Sequence, residues 1–172
     1  MGCGLLAPAS KVTRIHQIGL VVKDIDRAVE NYWKILGIGP WQIYRVRPPL
    51  LENGTYNGKQ TDQEFILALA TLENIELELI QPVKGKTIYD DFLKSRGEGL
   101  HHLMCDRSED VNGKLAAYEK IGAKIIQSAK FGEDEFGYVN TEGLLGTIVE
   151  VDKPANVKMP PPDKVYPPDA KV

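Results

Sequence analysis

IHQIGLVVKDIDRAVENYWKIL, residues 15–36, is the stretch that decides the fold. Its first eight residues are mostly β-branched or apolar, which predicts a buried strand. Apolar residues then recur with the spacing of an amphipathic helix, and Asp24 or Asp26 can cap the start of that helix. Gly37 and the Gly39-Pro40 pair end it, as glycine and proline do beyond a helix. The stretch therefore predicts a strand followed directly by a helix.

Three further strands are predicted after this helix, and together they complete a βαβββ unit. They span residues 41–46, 64–71 and 75–80. Residues 47–62, between the first two, are rich in Pro, Gly and Asn, which is typical of a long loop. Loops of this length inside compact domains are often functional. We therefore predict that residues 47–62 cover or border a substrate cleft.

The second half of the chain repeats the first, with a predicted strand at 100–105, a helix at 110–121 and strands at 123–127, 136–139 and 145–151. An offset of 86 residues superposes His16 on His102, Asp24 on Asp110, Ile25 on Val111, Tyr32 on Tyr118, Lys34 on Lys120 and Ile35 on Ile121. Near the ends of the units an offset of 72 superposes Leu77 on Val149, Glu78 on Glu150, Leu79 on Val151 and Pro82 on Pro154. The two offsets differ by 14 residues, close to the length of the 47–62 segment.

This duplication predicts an α+β fold in which two tandem βαβββ modules form one domain around a shared cleft. The predicted organisation is a leader at 1–12, module one at 13–84, a linking helix at 85–98, module two at 99–154 and a tail at 155–172. The tail holds five of the eleven prolines and lacks periodicity, so we expect it to be extended, wrapped on the surface or disordered.

The composition narrows the classes of partner. There are 21 basic and 24 acidic residues, a net charge of −3, which offers no positive field for a nucleic acid. The longest apolar run, around residues 65–70, is far shorter than the roughly 20 residues of a membrane-spanning helix. Two cysteines are too few for a disulfide framework. We expect a cytoplasmic protein with a small-molecule substrate and neither nucleic acid nor membrane as partner.

Two histidines and two glutamates occupy equivalent positions in the predicted modules. His16 and His102 lie on the first strands, and Glu78 and Glu150 lie on the last. A pseudo-twofold axis would bring these four side chains together as ligands of one Zn, Co, Mn, Ni or Fe ion. A single such residue on a strand is more often hydrogen-bonded or solvated than metal-bound. Both glutamates are flanked by apolar residues, however, and a buried carboxylate needs compensation that a metal supplies.

Two neighbours of these residues are left out of the predicted site. His101 and His102 should point to opposite faces of a regular strand, so only one of them is expected to bind the metal. The offset of 86 selects His102 and leaves His101 a packing or supporting position. Glu76 shares the face of Glu78, but the offset of 72 places it on Ile148.

The chain resembles the methylmalonyl-CoA epimerase branch of the vicinal-oxygen-chelate superfamily, which also contains glyoxalase I, bleomycin resistance proteins and dioxygenases. The resemblance runs from about residue 15 to residue 151. It rests on IHQIGLVV (15–22), LENIELELIQP (72–82), GLHHL (99–103) and GTIVE (146–150). The GLHH segment after a short helix is the part most like the epimerases.

The resemblance implies a glyoxalase-like open barrel that forms a homodimer and holds one divalent metal ion at the positions selected by the repeat. Epimerases often carry Gln at the second ligand position, whereas Glu78 here is more like glyoxalase I. The implied chemistry is proton abstraction next to a carbonyl or thioester, with an acyl-CoA as one candidate substrate. Glu150 would bind the metal and also take the proton, and Glu64 is the nearest candidate for a second acid/base.

Three alternative functions stay open at this stage. They are a glyoxalase I-like lyase, a metal-dependent dioxygenase, and a metal-free small-molecule-binding module such as the drug-sequestering members of the superfamily. An oxygenase would prefer two histidines and one carboxylate on iron. A binding module need not keep any ligand set, so four filled positions favour the isomerase or lyase.

Overall fold

The computed structural model describes residues 7–153 and 159–170. Three parts of the predicted organisation lie outside the described residues. They are positions 1–6 of the leader, position 154 at the end of module two, and positions 155–158 and 171–172 of the tail. Within the described ranges, no helix is long and apolar enough to cross a membrane.

The first module follows the predicted order and carries one addition. Its elements are β1 Gln17–Val21, α1 Ile25–Leu36, β2 Trp41–Val46, β3 Leu51–Tyr56, β4 Lys59–Gln60, β5 Glu64–Leu72 and β6 Ile75–Lys84. Helix α1 begins where the Asp24 side chain accepts a hydrogen bond from the backbone N–H of Arg27, and it ends at Gly37 in the left-handed conformation. Both ends agree with the capping signals in the sequence.

The linking helix and the second module also follow the predicted order. Their elements, with a short final strand, are α2 Ile88–Arg96, β7 Gly99–Arg107, α3 Val111–Lys120, β8 Ile125–Phe131, β9 Asp134–Val139, α4 Glu142–Leu145, β10 Ile148–Asp152 and β11 Lys164–Tyr166. The Asp110 side chain caps α3 by accepting from the Gly113 N–H, as Asp24 does for α1. The predicted strand 145–151 begins three residues late, because the short helix α4 occupies its expected start.

All the described strands join one mixed sheet, in the order β11-β2-β5-β6-β1-β7-β10-β9-β8-β3-β4. Strands β1 and β7 are antiparallel neighbours at its centre. The order outward from β1 is β6, β5, β2, and outward from β7 it is β10, β9, β8, so the two modules are related by a pseudo-twofold axis. The predicted α+β fold of two βαβββ modules is confirmed, and the sheet curls into a half-barrel.

Three apolar clusters hold this sheet. One packs α1 against the outer face of module one and another packs α3 against the outer face of module two. The third lies on the inner face beneath α2 and includes Phe65, Tyr89 and Tyr138. The inner cluster leaves a cleft where the two modules meet.

The prediction that residues 47–62 form a loop is wrong. Strands β3 and β4 form a hairpin whose turn is Asn57-Gly58, both with positive φ. Strand β3 pairs with β8, the outer strand of module two, so the insertion from one module extends the sheet of the other. Leu51 packs into the inner cluster beside the cleft. That the insertion covers or borders a substrate stays a prediction.

The described part of the tail, 159–170, lies along the other edge of the sheet. Strand β11 pairs antiparallel with β2. The Asp163 carboxylate accepts a hydrogen bond of 2.6 Å from the backbone N–H of Arg45, and Lys164 forms an ion pair of 2.6 Å with Asp26. Of the two forms that the sequence left open for an extended tail, wrapped on the surface or disordered, these contacts agree with the surface-wrapped one.

Candidate active site

A cavity of about 230 Å³ opens on the inner face of the sheet where the modules meet. Its polar residues are Gln17, Glu76, Glu78, Arg107, Asp134, Glu150 and Asp152. Its apolar and aromatic residues are Phe65, Leu67, Leu69, Tyr89, Met104, Phe131, Phe136, Tyr138 and Met159. A concave apolar wall with a few converging polar groups is typical of a small-molecule site.

Three of the four predicted metal ligands come together at this cleft, where Glu78 and Glu150 line the cavity and the buried His102 contacts both. The Nε2 atom of His102 lies 3.3 Å from Oε2 of Glu78 and 3.1 Å from Oε2 of Glu150. All three side chains are buried, and within the part of the chain that the structure describes none of these three atoms has a hydrogen-bond partner of acceptable geometry. Buried polar atoms are rarely left without partners, so this group is one that an additional cation would satisfy.

The spacing of these atoms is compatible with a shared ion. Ligands held at about 2.0–2.2 Å from one metal are themselves about 3.0–3.5 Å apart in tetrahedral or octahedral geometry. In the described residues, no three His, Cys, Asp or Glu side chains already surround one ion-sized position. Glu78, His102 and Glu150 would therefore adjust their side-chain torsions to hold an ion.

The electrostatics of this group favour positive charge. Burial opposes charge on His102, but the carboxylates of Glu150 and Glu78 outweigh burial and raise its pKa to about 9. Burial raises the pKa of Glu78 to about 7, against the opposing effect of His102 and with a further contribution from Glu150. Protons bound here in the metal-free protein provide the compensation that a divalent ion would otherwise provide.

The structure does not bring His16 to this group. His16 is partly exposed, and burial together with the Arg107 and Arg14 guanidiniums lowers its pKa. The next residue, Gln17, is buried and lines the cleft. Because neighbouring side chains on a strand point to opposite faces, His16 faces away when Gln17 faces in. The structure therefore gives no support to His16 as a ligand and places Gln17 on the cleft side instead.

The strand register explains this correction. Gly19 lies opposite Glu78 in the first module, and Met104 lies opposite Glu150 in the second. Since Glu78 and Glu150 are equivalent under the pseudo-twofold axis, Gly19 must be equivalent to Met104. The first strands are therefore related by an offset of 85 residues, not 86. This offset gives Gln17 the position in module one that the cleft histidine has in module two.

A bulge in β7 accounts for the one-residue difference. Cys105 is an extra residue between the positions of β7 that pair with Glu150 and Val151. After the bulge, equivalent residues of the two modules are 86 positions apart, as the matching residues of α1 and α3 are. When the offset of 86 is applied to the first strands, where 85 is correct, it matches His102 with His16 and not with Gln17.

The prediction that His101 and His102 point to opposite faces is also wrong. The pairing of β1 with β7 skips His101, which bulges from the strand. Both rings consequently lie against Tyr138, with centroid distances of 6.2 Å for His101 and 5.1 Å for His102. Their Nδ1 atoms are 2.9 Å apart.

Gly19 makes room for the ring of His102. A Cβ atom at this position would lie 1.9 Å from Cε1 and 2.1 Å from Nε2 of that ring. No side chain can occupy such a position without moving the imidazole. The glycine therefore fixes where the ring lies over β1.

Glu64, the predicted second acid/base, does not reach the cleft. It forms an ion pair of 2.5 Å with Arg45 on the neighbouring strand. The next residues of β5 with side chains in the cleft are Phe65, Leu67 and Leu69. The position of Glu64 gives no support to its predicted function.

Two partly buried carboxyl groups in the cleft lie outside the predicted site: Glu76, which the offset of 72 set aside, and Asp152, which was missed. Glu76 accepts a hydrogen bond of 2.7 Å from Nε2 of Gln17, and burial raises its pKa. Burial and the neighbouring Glu150 raise the pKa of Asp152 to about 8, although Arg107 opposes the shift. Each lies two residues from a predicted ligand on the same strand. The two-residue period of a strand had already placed Glu76 on the face of Glu78, and the same period applied to Glu150 could have identified Asp152.

This chain is similar to known proteins in sequence and in fold. The sequence profile of the Glyoxalase/Bleomycin resistance protein/Dioxygenase superfamily matches residues 16–139. A methylmalonyl-CoA epimerase variant from Streptomyces coelicolor, in complex with 2-nitronate-propionyl-CoA, has a TM-score of 0.63 and 21% identity, covering 87% of this chain and 100% of that chain. The methylmalonyl-CoA epimerase from Mycobacterium tuberculosis has a TM-score of 0.60 and 20% identity, covering 88% and 94%.

One curated protein adds to these structural neighbours. The uncharacterised protein YqjC of Bacillus subtilis (strain 168) is 23% identical over 146 residues, which cover 83% of this chain and 94% of that protein. The resemblance to the superfamily, with epimerases among its structural neighbours, is confirmed. At these identities the structural likeness shows the fold.

Proposed function

This chain belongs to the Glyoxalase/Bleomycin resistance protein/Dioxygenase superfamily, and on that premise we propose that it is a metal-dependent isomerase of the methylmalonyl-CoA epimerase type. It would move a proton on the carbon next to a carbonyl or thioester. One observation carries the proposal: unpartnered atoms of Glu78, His102 and Glu150 converge in a buried cleft.

The proposed ligands of one divalent ion are Gln17, Glu78, His102 and Glu150. One imidazole nitrogen and three oxygens suit Zn, Co, Mn, Ni or Fe. Two carboxylates balance the charge of such an ion in a buried site. Gln17 donates through Nε2 to Glu76, which leaves its Oε1 atom available as a ligand.

Glu150 is the proposed proton-transferring residue, because its carboxyl group lines the cavity beside the other ligands. A bound ion would stabilise the negative charge that develops on the substrate oxygen as the proton leaves. Glu76 and Asp152 replace Glu64 as candidates for the second acid/base. Asp152, with a pKa of about 8, would hold a proton at neutral pH and could donate it.

An acyl-CoA is the proposed substrate class. Structural neighbours bind 2-nitronate-propionyl-CoA and methylmalonyl-CoA in their solved complexes. The apolar and aromatic wall of this cleft, which includes Phe131, Phe136 and Met159, suits a short acyl group.

Solvent deuterium exchange tests this function. Metal-reconstituted protein incubated with short acyl-CoAs in deuterated water should introduce deuterium at the α carbon, as mass spectrometry would show. Glu150→Gln should suppress this exchange even where metal remains bound. Glu64→Gln serves as the matched control and should exchange like the wild type, because its ion pair with Arg45 lies outside the cleft.

Three other outcomes would redirect the proposal. Exchange that is unchanged in Glu150→Gln holding full metal would exclude that residue as the base. Exchange with 2-oxo substrates alone would favour the glyoxalase I-like lyase. No exchange with any acyl-CoA or 2-oxo compound would favour the metal-free binding module. A dioxygenase is disfavoured because the convergent group contains one histidine, where that chemistry prefers two.

A further inference from the structure

We infer that His101 is a positioning residue: it accepts a hydrogen bond from Nδ1–H of His102 and thereby turns the Nε2 lone pair of His102 toward the cleft. The inference rests on the proposed function, since it concerns the histidine of the proposed metal site. It assigns a use to a buried histidine that the sequence left as a packing residue.

The contact between the two rings carries the inference. Their Nδ1 atoms are 2.9 Å apart, a hydrogen-bond distance. One ring must donate and the other must accept, since two N–H groups or two lone pairs would repel each other. An imidazole that binds a metal through Nε2 carries its proton on Nδ1. His102 is therefore the donor and His101 the acceptor.

The surroundings of His101 hold its ring in place. Its side chain is 1% exposed and packs edge-on against Tyr89 and Phe92, with centroid distances of 5.3 Å and 5.1 Å. The bulge at this residue lets its ring lie beside that of His102, where a regular strand would separate them. The acceptor is thus fixed by packing on several sides.

A second cavity borders His101 and is compatible with a proton on its Nε2 atom. With Nδ1 accepting, the proton of a neutral His101 is on Nε2, which has no hydrogen-bond partner among residues 7–153 and 159–170. His101 lines a separate cavity of about 160 Å³, whose polar residues include Asp91, Asn140 and Glu142. Acidic and amide groups around a space that can hold water favour an N–H donor there. Both nitrogens of His101 then have defined functions.

Replacing the acceptor while keeping the packing isolates its contribution. His101→Phe preserves an aromatic ring beside Tyr89 and Phe92 but removes the acceptor. Loss of such a supporting hydrogen bond typically reduces metal affinity about 10–100-fold. His101→Asn offers an amide oxygen near the position of Nδ1 and should stay within about threefold of the wild type. Phe92→Leu is the packing control, because it disturbs the ring contacts and leaves the acceptor.

Two measurements test the inference. Co(II) affinity, titrated through the visible absorption of the bound ion, should fall in His101→Phe and be largely retained in His101→Asn and Phe92→Leu. Full affinity in His101→Phe would overturn the inference, as would an equal loss in all three variants.

Imidazole ¹⁵N NMR spectra of the wild type, recorded without metal and with Zn(II), identify directly which ring nitrogen carries the donated proton. This measurement does not require any variant to fold. We expect a protonated Nδ1 on His102 and an unprotonated Nδ1 on His101. The reverse assignment would overturn the inference. A wild type that binds neither Co(II) nor Zn(II) would instead remove the proposed metal site, and the metal-free spectrum would still decide which ring donates.

Discussion

Gly19 sets the position of the cleft histidine, because the ring of His102 lies directly over it. Gly19→Ala should displace that ring, lower Co(II) affinity at least about tenfold and destabilise the metal-free protein by about 1–3 kcal/mol. Metal titration and urea unfolding would measure the two effects. Gly143→Ala is the control, since a Cβ there meets no atom within 4 Å. Wild-type behaviour of Gly19→Ala would show that the ring does not occupy this position.

The corrected offset makes a second prediction at the residue scale. Gln17→Ala should weaken Co(II) binding by about tenfold, because it removes an oxygen ligand from the cleft. His16→Ala should bind Co(II) like the wild type, since its side chain lies on the other face of β1. The comparison is a pair of titrations at one pH. Loss of binding in His16→Ala with none in Gln17→Ala would restore the offset of 86 and reject the register described above.

The sequence was sufficient for three of the four proposed ligands and insufficient for the fourth. Glu78 and Glu150 are found by the offset of 72, which crosses no bulge, and the offset of 86 selected His102, which the structure places against both of them. Gln17 was missed because a one-residue bulge reverses the face of every side chain on one side of it. A bulge has no reliable signature in a single sequence, so the choice between His16 and Gln17 required the strand register.

At the scale of elements, the β3–β4 hairpin is the largest departure from the duplicated plan. Its first residue, Leu51, is buried in the inner cluster. Leu51→Ala should therefore cost about 2–5 kcal/mol of unfolding free energy. The exposed neighbour Glu52 is the control, and Glu52→Ala should change stability by less than about 0.5 kcal/mol. Urea unfolding of both variants makes the test, and equal, small effects would show that the hairpin adds nothing to the core.

The three longer helices and the eight core strands could be predicted, but the short helix α4 was not, and this hairpin could not be separated from a loop. Caps at Asp24 and Asp110 and apolar periodicity identified the other elements. The Asn57-Gly58 pair, flanked by Tyr56 and Lys59, is typical of a two-residue hairpin turn. The Pro, Gly and Asn content of residues 47–62 nevertheless led to the prediction of a loop. That β3 pairs with the other module is a long-range fact that local sequence does not encode.

Across the whole molecule, both outer strands of the duplicated sheet are already paired, β2 with β11 and β8 with β3. The homodimer implied by the family resemblance stays a prediction. A dimer of this chain that extended the sheet through β2 or β8 would have to displace β11 or β3, which already pair with those strands.

The protons held in the cleft should make the stability of the metal-free protein depend on pH. Burial raises the pKa of Glu78 to about 7, and burial with the charge of Glu150 raises that of Asp152 to about 8. Burial opposes charge on His102, but the neighbouring carboxylates raise its pKa to about 9. The folded state therefore binds more protons than the unfolded state over roughly pH 4 to 9, and its stability falls as pH rises through that window.

Urea unfolding of chelator-treated protein at pH 6 and pH 9 measures this effect, and the midpoint should be lower at pH 9. Saturating Zn(II), which replaces these protons, should reduce the difference. A midpoint that rises from pH 6 to pH 9 without metal would contradict the charge balance described for the cleft.

The central claim is that one divalent ion binds per chain, between Glu78 and Glu150 and on His102. Elemental analysis of protein reconstituted with Zn(II) or Co(II) and freed of excess ion tests it most directly. The account predicts one ion per chain in the wild type and none retained by His102→Ala. A wild type with no stoichiometric ion, or His102→Ala holding a full equivalent, would contradict it.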